Sequence, residues 1–191
     1  MIHKYAVAGI ATLLCAIGAA PAPAADTADA ANAANAANAT GQHFIKEAIQ
    51  GNLAEVKVGQ LAQEKGKSQG VKDFGATLAK DHETVNQSAT QAAQQMNVTP
   101  PNTPAPKQKM MYKQLASLSG EQFDREFIDS MVKDHKEDIA QYQREAKHTG
   151  PAADYAKQTL PKLREHLKMA EDLEYGGEHS AGNSRSTEMK E

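Results

Sequence analysis

Three histidines in this chain of 191 residues lie where their side chains could meet in a protein core. His82, His135 and His166 each fall on the apolar stripe of a different predicted helix. Each follows an apolar residue of its own stripe by three or four positions, and these residues are Leu78, Met131 and Leu163. Residues spaced in this way share one face of a helix, so all three imidazoles are predicted to point inward. Neutral imidazoles around a common centre would be ligands for a transition metal.

Glu55 is the fourth candidate ligand, on a face of the first predicted helix whose neighbours are mostly small: Ala48, Asn52, Gly59 and Ala62. A carboxylate buried on such a face needs a partner. Histidines with one carboxylate suit zinc, copper or iron, and the sequence does not choose among the three metals. The alternative is a metal-free polar network, in which neutral imidazoles donate to Glu55, to Asp124 or to backbone carbonyls and fix the register of the helices.

Aspartates precede two of the histidines directly, as Asp81-His82 and Asp134-His135. Adjacent helical residues point about 100° apart, so an aspartate and the histidine beside it do not easily reach the same centre. Asp81 and Asp134 are therefore predicted to pair with lysine or, together with Asp124, to accept hydrogen bonds from the ligand histidines of neighbouring helices.

Met131 and Met169 provide a softer set of candidate ligands, because each can share a helix face with a histidine. A set of methionine and histidine would favour copper. The simpler interpretation is that both methionines fill gaps in the core.

No residues are predicted to be catalytic. The sequence has no Gly-x-Ser-x-Gly elbow and no glycine-rich phosphate loop, and its one cysteine, Cys15, lies in a segment expected to be removed. We therefore expect a protein that is not an enzyme.

The elements that must position these residues are helices. Apolar residues recur at helical spacing over residues 42–65, over a segment of about 27 residues from Val71, and again after Ser119 and after Pro151. A short helix is predicted for residues 107–118, after a proline-rich connection. The predicted fold is all-α, a four-helix bundle with one additional short helix.

The ends of the chain differ from the predicted bundle over residues 42–175. Residues 1–24 carry one lysine, a short apolar run and a small-residue cleavage site, which is typical of a signal peptide. Residues 25–41 form an Ala/Asn-rich leader and residues 176–191 a polar tail, both expected to be disordered. We expect a periplasmic or otherwise exported protein with no transmembrane segment in its mature form.

The charge pattern argues against nucleic acid as a partner. The formal net charge is -3 with both signs interspersed, so no basic face is expected. Association with the cell envelope and assembly into a homo-oligomer both remain open.

Several stretches of the predicted bundle resemble the bacterial DUF4142 family, a domain of unknown function. The resemblance covers roughly residues 44–173, and the stretches that carry it are Leu53-Ala54-Glu55-Val56, Gly59-Gln60-Leu61-Ala62, Val71-Lys72-Asp73-Phe74, Asp81-His82, Phe123-Asp124, Asp134-His135, Leu160-Pro161 with Leu163, and His166-Leu167. It implies a ferritin-like fold and an exported protein. A di-iron centre of that fold class needs Glu-x-x-His on two helices, but the residues three before the histidines are Ala79, Val132 and Leu163. The ferritin-like fold is therefore expected here without its iron chemistry.

Overall fold

The computed structural model describes the backbone of residues 24–187 and the side chains of residues 29, 30 and 32–176. The described part consists of five helices: α1 (Ala24–Lys65), α2 (Gln69–Gln95), α3 (Pro106–Ala116), α4 (Gly120–Glu145) and α5 (Pro151–Thr187). The predicted all-α fold with one additional short helix is confirmed. The signal peptide expected over residues 1–24 lies, except for its last residue, outside the described range.

The four long helices form two hairpins. Only residues 66–68 separate α1 from α2, and only residues 146–150 separate α4 from α5, so each pair must run antiparallel. The hairpins pack together through α2 against α5 and through α1 against α4, and α3 lies mainly against α1. Among residues 24–187, no helix is long and apolar enough to cross a membrane.

Both ends of the bundle have more helix than the sequence predicts. Helix α1 begins at Ala24 and includes the leader at 25–41, and α5 continues beyond Gly176 to Thr187. Alanine has the highest intrinsic helix propensity, which accounts for a helical leader that has no core to pack on. The leader side chains described between residues 32 and 40 are exposed, and the first buried residue of α1 is Gly41. The leader expected to be disordered is therefore helical in the structure, and its described side chains are exposed.

Two apolar clusters fill the bundle. The tyrosine cluster includes Ile45, Ile49, Tyr142 and Tyr155. The phenylalanine cluster includes Phe74, Leu78, Phe123, Phe127 and Met131. Within the phenylalanine cluster, the rings of Phe123 and Phe127 stack with centroids 5.8 Å apart. Burying several large side chains at each end of the bundle is the main source of its stability.

A polar layer separates the two clusters. Each long helix contributes residues to the tyrosine cluster at one end and to the phenylalanine cluster at the other, and its polar residues of this layer lie between the two sets. The layer consists of Asn52 and Glu55 on α1, His82 on α2, His135 on α4 and His166 on α5. None of these side chains is more than 5% exposed. The bundle therefore gathers ionisable groups from all four long helices at one level inside an otherwise apolar core.

The register of α1 against α2 is fixed by a close contact of their backbones. A Cβ atom on Gly59 would lie 2.5 Å from the carbonyl oxygen of Gly75, and a Cβ on Gly75 would lie 2.6 Å from that of Gly59. Only glycine leaves enough room for the two helices at this crossing. The crossing lies two turns of α1 from Asn52 and two turns of α2 from His82, and it helps to set these residues opposite each other.

Asp124 has a different role from the one predicted. It accepts hydrogen bonds from the backbone N–H groups of Lys67 (2.7 Å) and Ser68 (2.8 Å), in the turn that joins α1 to α2. Ser68 in turn caps α2 by accepting from the N–H of Val71. Asp124 lies near the start of α4, more than two turns before His135, so the prediction that it would partner a histidine is wrong.

Replacing Asp124 with alanine should lower the free energy of unfolding by about 1 to 2 kcal/mol, because two backbone N–H groups at the start of α2 lose their charged acceptor. Urea unfolding followed by circular dichroism measures the change. Asp129→Ala removes the same charge from an exposed position of the same helix and should shift the midpoint little. Equal effects of the two substitutions would contradict a capping role for Asp124.

A candidate metal centre of three histidines

The structure brings His82, His135 and His166 together. One nitrogen atom of each imidazole lies within 4.8 Å of the corresponding atoms of the other two, and all three residues are buried. The centroids of the rings are 5.2 to 6.0 Å apart. Helix periodicity indicated only that the three residues face inward; the structure also places them at the same height in the bundle.

The ring of His82 is oriented by Asn52 on α1. The Nδ1–H of His82 donates to Oδ1 of Asn52 at 3.0 Å, and Nδ2 of Asn52 donates to the hydroxyl oxygen of Tyr155 at 3.0 Å. Because the amide nitrogen is engaged by Tyr155, the amide oxygen is left to face His82, and this fixes the proton on Nδ1 of the imidazole. Sequence reasoning assigned Asn52 no role at the site; the available signal was a polar residue on a face of small and apolar ones.

The other two histidines also have one nitrogen committed to an acceptor. Nδ1–H of His135 donates to the carbonyl oxygen of Met131 at 3.0 Å. Nε2–H of His166 donates to Oδ2 of Asp81 at 3.0 Å, and Lys162 approaches the same oxygen at 3.4 Å. A carboxylate or carbonyl behind the ring is the usual partner of a histidine that binds metal through its other nitrogen. The structure therefore places Asp81 where a supporting partner for His166 was predicted.

With the N–H groups assigned in this way, the three remaining nitrogens carry lone pairs, and no described residue donates to them. Nε2 of His82 has no hydrogen-bond partner among the described residues. Nε2 of His135 and Nδ1 of His166 lie 3.4 Å apart. A hydrogen bond between these two nitrogens would require a proton on one of them. Because a neutral imidazole has only one N–H, its outer nitrogen would then face an acceptor with a lone pair: the Met131 carbonyl for His135, or the Asp81 carboxylate for His166. Two lone pairs that face each other at 3.4 Å repel, and a shared cation would remove this repulsion.

The 3.4 Å separation fits a metal ion bound by both nitrogens. With bonds of about 2.05 Å in a tetrahedral arrangement, two imidazole nitrogens on one zinc ion lie about 3.3 Å apart. The observed distance between His135 and His166 is close to this value before any adjustment of the rings.

Burial keeps the imidazoles neutral at neutral pH. The pKa of His82 lies well below its usual value because of burial, with His135 and His166 adding like-charge repulsion. Burial lowers the pKa of His135 to about 3, with His166 adding to the shift and the Met131 carbonyl opposing it. Burial also lowers the pKa of His166, although Asp81 opposes that change. Neutral imidazoles are the form that binds metal, so no proton needs to be displaced from these three nitrogens.

Comparison with known proteins identifies the family of this chain. The model of the DUF4142 family, a domain of unknown function, matches residues 26–173. The chain belongs to the DUF4142 family. No curated protein and no solved structure matched the chain in the corresponding searches. The family match includes α1 from near its start and all three histidines.

Glu55 lies in the polar layer of this DUF4142 protein but outside the group of three converging nitrogens. Its Oε2 atom is buried and has no hydrogen-bond partner among the described residues. Burial raises the pKa of Glu55 well above its usual value, and the carboxylates of Asp138 and Asp134 on α4 raise it further. Glu55 therefore faces the acidic side of α4, and its predicted role as a ligand stays a prediction.

The remaining candidates of the DUF4142 chain are less closely tied to the histidines. Asp134 has a pKa raised by burial, with Lys107 opposing the shift, and no histidine bonds to it among the described contacts. Met131 reaches His135 through its backbone oxygen, while its side chain packs in the phenylalanine cluster. Met169 is partly buried against the same cluster. This is the packing that the core-filling interpretation of the two methionines predicts.

Proposed function

We propose that this DUF4142 protein binds one transition-metal ion through His82, His135 and His166, without catalysing a reaction. The observation that carries the proposal is the direction of the three lone pairs. Each imidazole has its N–H held by an acceptor outside the cluster, namely Asn52, the Met131 carbonyl or Asp81. The other nitrogen of each ring is thereby left free to face the centre of the cluster.

Zinc is the metal whose preferred geometry best fits the cluster among zinc, copper and iron. Three neutral nitrogen ligands suit Zn²⁺, and the 3.4 Å spacing of the His135 and His166 nitrogens is close to that of a tetrahedral zinc site. Copper and iron also bind imidazole, so availability in the cell would decide the natural metal. Three histidines leave a fourth position for water, since Glu55 lies outside the group of converging nitrogens.

The alternative function is a metal-free structural or stress-protective role in the cell envelope. It is favoured by a continuous polar chain from His82 through Asn52 to Tyr155, whose hydroxyl lies 3.3 Å from that of Tyr142. Such a chain would fix the register of the helices. It leaves the lone pairs of His135 and His166 facing each other, which is why we place metal binding first.

Export to the periplasm is part of the proposal and rests on the sequence of residues 1–24. Removal of that segment would also remove Cys15, so the ligands available to a metal would be histidine, methionine and carboxylate. None of these forms disulfides in an oxidising compartment, in contrast to thiolate ligands.

Metal content tests the proposal. The protein is purified without a polyhistidine tag, loaded with excess Zn²⁺, desalted, and analysed by inductively coupled plasma mass spectrometry. We expect about one zinc per chain, and a Co²⁺-loaded sample should show the strong visible bands of a tetrahedral site. Retention of far less than one equivalent of zinc, copper or iron after loading each in turn would overturn the proposal and leave the metal-free network.

Asp81→Asn should raise the Kd for Zn²⁺ roughly 10- to 100-fold while the stoichiometry stays near one. The substitution preserves an acceptor for Nε2–H of His166 but removes the negative charge that makes this imidazole a better donor to metal. Competition titration with a chromophoric chelator measures the Kd. Asp73→Asn, at an exposed position of the same helix, is the matched control and should leave Kd unchanged. Equal affinities of the two variants would exclude a supporting role for Asp81.

A further inference from the structure

A cleft opens beside the polar layer, between α1, α4 and the start of α3. Its volume is about 270 Å³, and it is lined by polar side chains that include Glu47, Asn52, Lys107, Glu137, Asp138 and Tyr142. We call this the acidic cleft, because three of these residues are carboxylates and one is a lysine. The lysine is engaged with Glu137 at 3.4 Å, which leaves an excess of negative charge on the walls.

The inner wall of the acidic cleft adjoins the three-histidine cluster. Asn52 lines the cleft and also accepts the Nδ1–H of His82 at 3.0 Å. Asp138 lines the cleft from α4, where it lies three residues, or about one turn, after His135. The side chain of Asn52 thus lies between the cleft and His82.

Glu55 is the buried polar group on this side of the histidines. It lies one turn after Asn52 on α1 and is 5% exposed, and its Oε2 has no hydrogen-bond partner among the described residues. Asn52, one turn before Glu55, lines the cleft together with Asp138, and like-charge repulsion from Asp138 contributes to the raised pKa of Glu55. Burial beside other carboxylates also raises the pKa of Asp138, to about 7. A cation placed between Glu55 and Asp138 would reduce the repulsion between the two carboxylates and would give Oε2 of Glu55 a partner.

We propose that the acidic cleft is the entry route for a hydrated divalent metal cation, and that Asp138 and Glu55 bind the cation transiently on its way to the three histidines. The inference rests on the proposed metal binding and adds the path to it. The negative walls raise the local concentration of cations at the mouth of the cleft. Carboxylate oxygens replace part of the water shell of the cation, and the imidazole nitrogens, which hold transition metals more tightly, then replace the carboxylates.

Stopped-flow mixing of the metal-free protein with Co²⁺ tests the route, with the growth of the visible bands as the readout. Asp138→Asn should slow both association and dissociation about tenfold or more and leave Kd within about threefold, because a route changes rates and not the end state. The variant should fold, because asparagine resembles the protonated form of this carboxyl. Glu137→Gln at the exposed mouth should slow association about two- to threefold at low salt, and less at high salt.

Asp129→Asn is the matched control, since it removes the same charge from an exposed position of α4 outside the acidic cleft. Wild-type rates in Asp138→Asn would overturn the route and leave the metal site itself intact. A weaker Kd with an unchanged association rate would also overturn it, because Asp138 would then belong to the final site. Absence of Co²⁺ and Zn²⁺ binding in the wild-type protein would overturn the route together with the proposed function.

Discussion

Replacing His135 with alanine should raise the Kd for Zn²⁺ roughly a thousandfold or more, which corresponds to about 4 kcal/mol. His135 provides the nitrogen that lies 3.4 Å from that of His166, and both approach His82 within 4.8 Å. Without it, two histidines remain, and two neutral ligands do not hold zinc against water and chelators. Competition titration with a chromophoric chelator gives Kd, and circular dichroism shows whether the helices persist.

The matched control for this substitution is His43→Ala. His43 is an exposed histidine of α1 that contacts Glu47 at 3.2 Å, so its removal deletes an imidazole without touching the polar layer. It should leave the Kd unchanged. If the alanine variant of His135 does not fold, His135→Gln keeps most of the volume and a polar group, and we expect the same loss of affinity. Tight stoichiometric zinc binding by folded His135→Ala or His135→Gln would contradict a site built on His135.

The faces of the helices could be predicted from sequence, because helical periodicity records which side of each helix is apolar. The inward direction of His82, His135 and His166 follows from that pattern, and the structure agrees with it. The height of each residue along the bundle does not follow from the pattern, because it depends on how the connections set one helix against another. Glu55 illustrates the difference, since it faces inward as predicted but lies outside the group of converging nitrogens.

Asp124 and Asn52 show a second limit. Asp124 was associated with the histidines through its residue type, whereas its position near the start of α4 places it against the turn between α1 and α2. Asn52 has a side chain with no particular preference for metal sites, and only the contacts with His82 and Tyr155 reveal its role. Partners that act through one hydrogen bond across helices leave little trace in the spacing of a single chain.

The folding stability of the metal-free protein depends on pH through groups with opposite effects, of which His135 and Asp138 are examples. The pKa of His135 falls to about 3 on folding, so its contribution to stability is complete above the unfolded pKa of about 6.5 and is lost as the pH falls toward 3. The pKa of Asp138 rises to about 7 on folding, so its contribution is complete below the unfolded value of about 3.9 and is lost as the pH rises through 7. A substitution at one of these residues is therefore needed to measure its contribution to stability separately.

Asp138→Asn should stabilise the metal-free protein by roughly 3 to 4 kcal/mol at pH 8 and by almost nothing at pH 4. The pKa of Asp138 is about 7 in the folded protein and about 3.9 in the unfolded chain, so ionisation at pH 8 favours unfolding, and asparagine does not ionise. Urea unfolding in EDTA at the two pH values measures the difference, with Asp129→Asn at an exposed position of the same helix as the control. A pH-independent effect of Asp138→Asn would show that Asp138 ionises freely in the folded protein. If the difference has the expected sign, the folded metal-free protein keeps the half-buried carboxylate of Asp138 ionised at a cost in stability. Zn²⁺ should stabilise the wild-type protein and the Asp138→Asn variant by similar amounts, because the two are expected to differ in Kd by no more than about threefold.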